Sequence, residues 1–385
     1  MTSTTISELH AAVDSLAARW RDERTDRLSR ETLNRADFDA LRDTGILLLP
    51  VPQEAGGLWD NLAATVRPTA EIFRTLATAD PSVALVSAMH PAVVSHWSTN
   101  PDPNKAVWEQ QRASVFREIR DGKQWGTITS EPGSGGDIAH TRAVARPLRG
   151  SSSALSGADY AVTGDKHFGS GLGILDRMMT TAIPDGETGP SIFVLDVEDR
   201  VLDGTEGIRL TAAWDGTGMR ATQSHAVRLD GATATRIAWD GNLETLTRRV
   251  SGLSMVLFSA VTLGIIDEAV RTVGTGINNR RGVLRPYEQV EWAAAAQDHW
   301  LACQAYEGAL RQLEVGDLDG ARIDALRAKM AIAMLSERVM TRLCRVVGGS
   351  SFSRRSPLSQ WFEDVRALGF LRPPWALAHD MLGDP

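Results

Sequence analysis

Thr129-Ser130-Glu131-Pro132-Gly133-Ser134-Gly135-Gly136-Asp137 is followed about thirty residues later by Val162-Thr163-Gly164-Asp165-Lys166-His167-Phe168-Gly169-Ser170-Gly171. The first stretch sets hydroxyls and a carboxylate ahead of a turn with three glycines. Glycine lets backbone come close to a neighbouring group without a side-chain clash. A glycine-rich loop by itself is most often only a turn. A phenylalanine two residues after a lysine is most often core. The pair at this spacing carries the weight.

Working outward, the chain falls into three textures. From Ile6 to about Gly122 apolar residues recur at helical spacing, as in Leu9, Val13, Leu16 and Ala17. Asp80-Pro81 breaks this run, and residues 81 to 97, rich in Ala and Val, read as a buried helix. Between about residues 124 and 240 short strand-like pieces alternate with Gly, Asp, Ser and Pro clusters: 126–129, 143–147, 160–163, 177–182, 191–197 and 225–229. Many short strands at close spacing suggest a compact sheet or barrel. From about Leu243 helix returns, with candidates at 251–278, 287–315, 321–347 and 357–367, the third ended by Gly348-Gly349. Four helices joined by short connections suggest an antiparallel bundle.

The two opening stretches resemble the Thr-Glu-Pro-x-x-Gly-Ser-Asp and Asn-Gly-x-Lys-x-Trp-Ile-Thr-Asn signatures of the acyl-CoA dehydrogenase superfamily, whose fold is shared by a flavin monooxygenase branch. Gly218-Met219-Arg220-Ala221-Thr222, Asn279-Arg280 with Gln289, Val347-Gly348-Gly349 and Glu363-Asp364 are similar to later elements of that family, in its order over roughly residues 40 to 370. The resemblance implies an α+β fold with an N-terminal helical domain (1–123), a central β-barrel-like domain (124–240) and a C-terminal four-helix bundle (241–385). It also implies a flavin, FAD with FMN as the alternative. Thr129, Ser130, Gly135 and Gly136 would approach the flavin, Phe168 would lie against its rings, and Ser170 would stand near N5. Arg280, Gln289, Arg345, Gly348 and Gly349 would hold the diphosphate and adenine side, shared with a neighbouring subunit. A flavin needs apolar packing on a ring face and hydrogen bonds along its polar edge, so these residue types suit it.

The same resemblance implies a homodimer or homotetramer acting on an acyl thioester, bound to CoA or a carrier, with an electron-transfer partner. A dehydrogenase of this kind needs a carboxylate base near the carbon that loses a proton. The two family positions for it fall on Arg372 and Ser254, and an arginine does not serve as a base at ordinary pH. His379 remains a candidate acid or base, with His90 and His96 behind it. The lost base points to the alternative, a two-component monooxygenase supplied with reduced flavin by a reductase, although leucines (Leu368 and Leu371) stand where that branch has histidines. A third reading is a fold relative without catalysis.

Bulk properties narrow the field. At 385 residues, two or three domains are expected. A formal net charge of -7 argues against nucleic-acid binding. The two cysteines, Cys303 and Cys344, fit a reduced cytoplasm and read as packing residues. The eight histidines show no metal-ligand spacing, so no metal is expected. The polar N-terminus lacks signal-peptide order, and no apolar run of membrane-spanning length stands out. The expectation is a cytoplasmic protein with no membrane partner.

Overall fold

The computed structural model describes residues 5–99, 105–148, 155–239, 241–279, 284–316 and 318–383. Helices α1 (Ile6–Asp22), α2 (Arg24–Ser29), α3 (Arg35–Asp43), α4 (Leu62–Ala77), α5 (Pro81–Thr99) and α6 (Ala106–Arg120) come first. In α1 the buried side chains are Leu9, Val13, Leu16, Ala17 and Trp20, and Thr5 with Glu8 closes its start in a capping box. All of α5 from Pro81 to Trp97 is buried. An apolar surface on every side of a helix calls for neighbours on every side.

The strands are β1 (Trp125–Thr127), β2 (Val144–Pro147), β3 (Asp159–Gly169), β4 (Arg177–Pro184), β5 (Ser191–Asp196), β6 (Ile208–Ala212) and β7 (His225–Arg236). Among the described residues, β4, β2, β3, β7 and β5 pair in that order, and β5 pairs back onto β4, so the circuit closes. β1 and β6 lie outside it, on β4 and β7. Closure removes the open edges that a sheet would otherwise expose. β3 is longer than the sequence suggests, because the second signature continues as strand as far as Gly169. Register shifts between Val162 and Gly164 and between Lys166 and Gly169 bend it. β6 had no counterpart in the sequence reading: after Ile208 its residues are exposed, so its composition carries no core signal.

The second helical group is α7 (Leu243–Asn279), α8 (Pro286–Val315), α9 (Leu318–Val347), α10 (Pro357–Phe370) and the short α11 (Trp375–Gly383). α7 begins eight residues earlier than periodicity placed it. It is long and apolar enough to cross a membrane, which the sequence reading did not register, but 78% of its most apolar stretch is buried inside the protein. That apolarity is used in packing. Arg74 of α4 donates to Asp267 of α7 at 2.6 Å, and Arg67 of α4 donates to Glu307 and Glu314 of α8, so ion pairs tie the first helices to the bundle.

α4 and α7 come together where Gly264 has no side chain. A Cβ there would stand 2.1 Å from the Arg74 carbonyl oxygen and 2.9 Å from the Ala77 Cβ. Gly264→Ala should therefore force the two helices apart and cost about 1–3 kcal/mol. Urea unfolding checks this, and an unchanged midpoint would contradict the close approach.

Candidate functional site

The two signature stretches meet at one end of the barrel. The His167 backbone N–H donates to the Ser130 carbonyl at 2.8 Å and holds the strands side by side. Between them lies a buried ion pair. The Lys166 ammonium donates to a Glu131 carboxylate oxygen and, at 2.6 Å, to the Thr181 carbonyl. Glu131 also accepts from the Thr141 hydroxyl and, at 2.6 Å, from the Arg142 backbone N–H. Burial pushes the Glu131 pKa up, but Lys166 and these donors outweigh it, so the carboxylate is held below its usual range. It is engaged on both oxygens and is poorly placed to act as a base.

Around this pair the other signature residues face outward or stand without partners. The Thr129 hydroxyl is buried with no hydrogen-bond partner among the described residues. An orphaned buried hydroxyl costs stability unless a ligand meets it. Ser130 is half-buried and Gly135 is open to space. Gly136, with φ +85°, lies where a Cβ would meet Pro374 at 2.6 Å. This explains why glycine stands where the family signature has serine: the segment before α11 is pressed against the loop. Phe168 is 60% exposed and has φ +58°, a conformation uncommon for a residue with a side chain. Its ring meets the Trp214 ring edge-on at 6.3 Å. A strained, exposed aromatic at a binding face is a functional pointer.

Ser170 is buried and begins a run of hydroxyls. Its Oγ lies 2.7 Å from Ser224 Oγ, which lies 2.7 Å from Thr222 Oγ1. Thr222 donates to the Met219 carbonyl at 2.8 Å. Each hydroxyl has one proton to give. With Thr222 committed to Met219, Ser224 donates to Thr222 and Ser170 donates to Ser224. Ser170 then offers lone pairs, and no proton, to whatever stands before it. Trp214 and Ser224 were not singled out as site residues in the sequence, although the quoted element Gly218 to Thr222 lies between them and contains Met219. The hydroxyls at Thr222 and Ser224, two apart on the approach to β7, were the available signal.

The loop carrying these residues is fixed to the bundle by Asp364 of α10, whose Oδ1 accepts from the Met219 backbone N–H at 2.6 Å and from Gln360 at 2.9 Å. Burial raises the Asp364 pKa to about 7 against these two bonds.

The remaining sequence candidates are distributed elsewhere. Ser254 returns its hydroxyl to the Val250 carbonyl within α7. His90 accepts from the Trp125 backbone N–H at Nδ1 and bonds the Leu47 carbonyl through Nε2, and burial lowers its pKa to about 4. His96 bonds Val93 within its own helix and is similarly lowered. Both are neutral structural histidines. His379 is exposed on α11, stacked on Trp375. Arg372 lies beside the Gly136 loop, close enough for its charge to act on Lys166. Arg345 pairs with Glu291 at 3.2 Å, and Gln289 donates to the Leu284 carbonyl. Gly348 takes φ +77° at the end of α9, next to Gly349. Arg280 lies outside the described residues. Asp267, His299 and Cys303 bring three ligand-type atoms within 4.8 Å of one another. Arg74 already donates to both Asp267 oxygens and to Cys303, while Asp267 raises the His299 pKa to about 9, so charge compensation accounts for the cluster.

No family model matches the chain. It is 25% identical over 357 residues to YdbM of Bacillus subtilis, named as an acyl-CoA dehydrogenase, covering 87% of this chain and 84% of that one. It is also 25% identical over 362 residues to the amino sugar nitrososynthase DnmZ of Streptomyces peucetius, covering 87% and 82%. The structure superposes on FMN-bound TdsC from Paenibacillus sp. A11-2 with a TM-score of 0.80 at 20% identity, over 98% of this chain and 96% of that one. The expected fold, helices around a barrel with a helical bundle, is the fold observed. The chain is an oxidoreductase of this architecture, and its fold is shared with flavoenzymes of the acyl-CoA dehydrogenase-like type, to which it is similar along most of its length.

The Asp364 carboxyl yields a pH prediction. Its pKa is raised in the folded protein from an ordinary 3.8, so the native state keeps a proton that the unfolded chain releases. Its contribution to stability therefore falls as pH rises from about 4 to about 7. Asp364→Asn retains an acceptor for Met219 without the charge. Its thermal midpoint should gain on the wild type across that window and hold the gain above it, and parallel pH curves for the two proteins would contradict this.

Proposed function

We propose that the chain is a flavin-dependent monooxygenase that uses reduced flavin and O2 on a small-molecule substrate. The observation that carries this reading is the state of the carboxylates near the candidate site. Glu131 is locked to Lys166, Asp364 to Met219 and Gln360, and the two positions where the family resemblance sought a base hold Arg372 and Ser254. Abstraction of a proton next to a thioester carbonyl needs a carboxylate free to move toward it. Oxygen transfer does not.

The residues fit a flavin. Thr129 has an unsatisfied hydroxyl, Phe168 an exposed ring, and Gly135 a stretch of loop backbone with no neighbouring atom within 4 Å of where a side chain would start. When bound, reduced flavin would supply two electrons, so that one atom of O2 enters the substrate and the other leaves as water. Thr129 would bond the polar edge, Phe168 would pack on the rings and Ser170 would accept from N5–H. FMN is the favoured form. Arg345 and Gln289, two of the residues that would hold the dinucleotide side, are engaged with Glu291 and Leu284. The FMN bound to TdsC and the nitrososynthase name of DnmZ support this reading, the dehydrogenase name of YdbM supports the other, and the engagement of Glu131 and Asp364, with Arg372 and Ser254 at the two expected base positions, favours oxygenation.

The hydroxyl run has a measurable consequence. Reduced flavin carries a proton on N5, while oxidised flavin has a lone pair there. A Ser170 that can only accept should favour the reduced form by about tenfold or more, the usual effect of one matched against one mismatched hydrogen bond. Ser224→Ala frees the Ser170 proton, so the preference should shrink. Anaerobic titration with reduced and oxidised FMN measures both ratios. Bleaching of bound flavin by acyl-CoA thioesters under the same conditions would defeat the monooxygenase reading.

A further inference from the structure

We propose that Arg372 is an anion-binding residue of the substrate site, and that the substrate carries a negatively charged group such as a carboxylate, sulfinate or sulfonate. The assignment deepens the monooxygenase reading by naming a substrate class, but anion binding itself does not depend on flavin.

The segment between α10 and α11 is positioned from two sides. Pro374 presses on Gly136 of the glycine-rich loop. On the other side the Lys329 ammonium, fully buried on α9, donates to the Pro373 carbonyl at 2.8 Å. Arg372 is thereby held beside the loop that leads from Thr129 into the barrel, with Lys166 near enough to feel its charge. Its side chain makes no hydrogen bond and no ion pair among the described residues. Five N–H donors in a planar fork are thus left unused.

The surrounding charges do not compensate it. The Glu131 carboxylate is already taken up by Lys166. Asp137 is the anion that acts on Arg372, but it forms no ion pair with it; its Oδ1 accepts from the Ala139 N–H at 2.8 Å and its Oδ2 faces His140 at 3.5 Å. Lys329 has no carboxylate partner among the described residues, and burial draws its pKa down to about 8. Burial likewise draws Arg372 down to about 10. Two under-compensated cations therefore flank Pro373. The Arg372 nitrogens are open to water, which an arriving anion would replace with a counter-charge. Arg372 also keeps part of its surface accessible, as a group that receives a ligand must. A guanidinium suits a planar or pyramidal oxyanion through paired donors. A thioester carbonyl would use only one.

Acetate and methanesulfonate, with acetamide as the neutral control, test the assignment. Binding is followed by tryptophan fluorescence, since Trp375 stands three residues away, and in flavin-loaded protein by the flavin absorption spectrum. Wild type should bind both anions more tightly than acetamide. Arg372→Gln should lose at least tenfold for the anions and nothing for acetamide, while Arg372→Lys should keep part of the anion binding. Thermal melting distinguishes a structural role: Arg372→Gln should melt no lower than wild type, because no intramolecular bond is lost. Equal anion binding by wild type and Arg372→Gln, or a large drop in melting temperature, overturns the proposal. So does a weakening of FMN but not riboflavin binding in Arg372→Gln, which would assign the residue to the cofactor phosphate. Anion binding that persists without any flavin binding would leave this proposal standing and remove the monooxygenase reading.

Discussion

The Lys166–Glu131 ion pair is the constraint on which the site depends. It joins the strand that carries Phe168 and leads into Ser170 to the segment that carries Thr129 and the glycine loop, and both charged groups are buried there. Removing one partner of such a pair leaves a bare charge and costs on the order of 3–5 kcal/mol, so the pair fixes one relative position of the two segments. Its hydrogen bonds to Thr141, Thr181 and the Arg142 N–H use the remaining capacity of both groups. The same completeness that makes the pair a good brace removes Glu131 from acid–base chemistry.

A second brace acts from outside the barrel. Asp364 reaches from α10 to the Met219 turn, and that turn in turn accepts from Trp214 and Thr222. Met219 is thus a junction of bundle and barrel: its N–H is held by the Asp364 carboxyl, and its carbonyl gathers Trp214 and Thr222. The Trp214 ring, against which Phe168 leans, and the hydroxyl run from Thr222 to Ser170 both issue from this turn. The polarity of that run comes from a bundle-anchored turn rather than from the barrel alone, which links the helical domain to the hydrogen-bond character of Ser170.

Much of this was legible in the sequence, and the exceptions have physical causes. Helix periodicity marked α1, and the uniformly apolar α5 read as buried, because a helix reports its surroundings through its apolar faces. β6 escaped because its side chains past Ile208 are exposed. The early turns of α7 escaped because Thr245, Thr247, Arg248 and Arg249 dilute the apolar pattern there. At the site, the glycine loop, Thr129, Phe168 and Ser170 were found from motif spacing. The state of each was not: an unsatisfied hydroxyl, a left-handed backbone or a one-directional hydroxyl run exists only once distant residues such as Thr222 and Met219 are adjacent. His90 and His96 were attractive as acid–base candidates for their residue type, and burial alone explains why they are neutral.

Arg372 shows why a missing residue need not mean a missing function. In the sequence it registers as the absence of a base. In the structure the segment bearing it is held by Lys329 and pressed onto Gly136, and the glycine that stands in place of a serine is what permits the contact. The loss of a hydroxyl at Gly136 and the gain of a cation at Arg372 are therefore one arrangement. On the anion-binding proposal, the site has a cation that holds negative charge where a dehydrogenase would need a group that removes protons, and it keeps the residues suited to a flavin. Chemistry that needs no proton taken from carbon, performed on a molecule presenting an anion, is the reading in which both changes serve the same end.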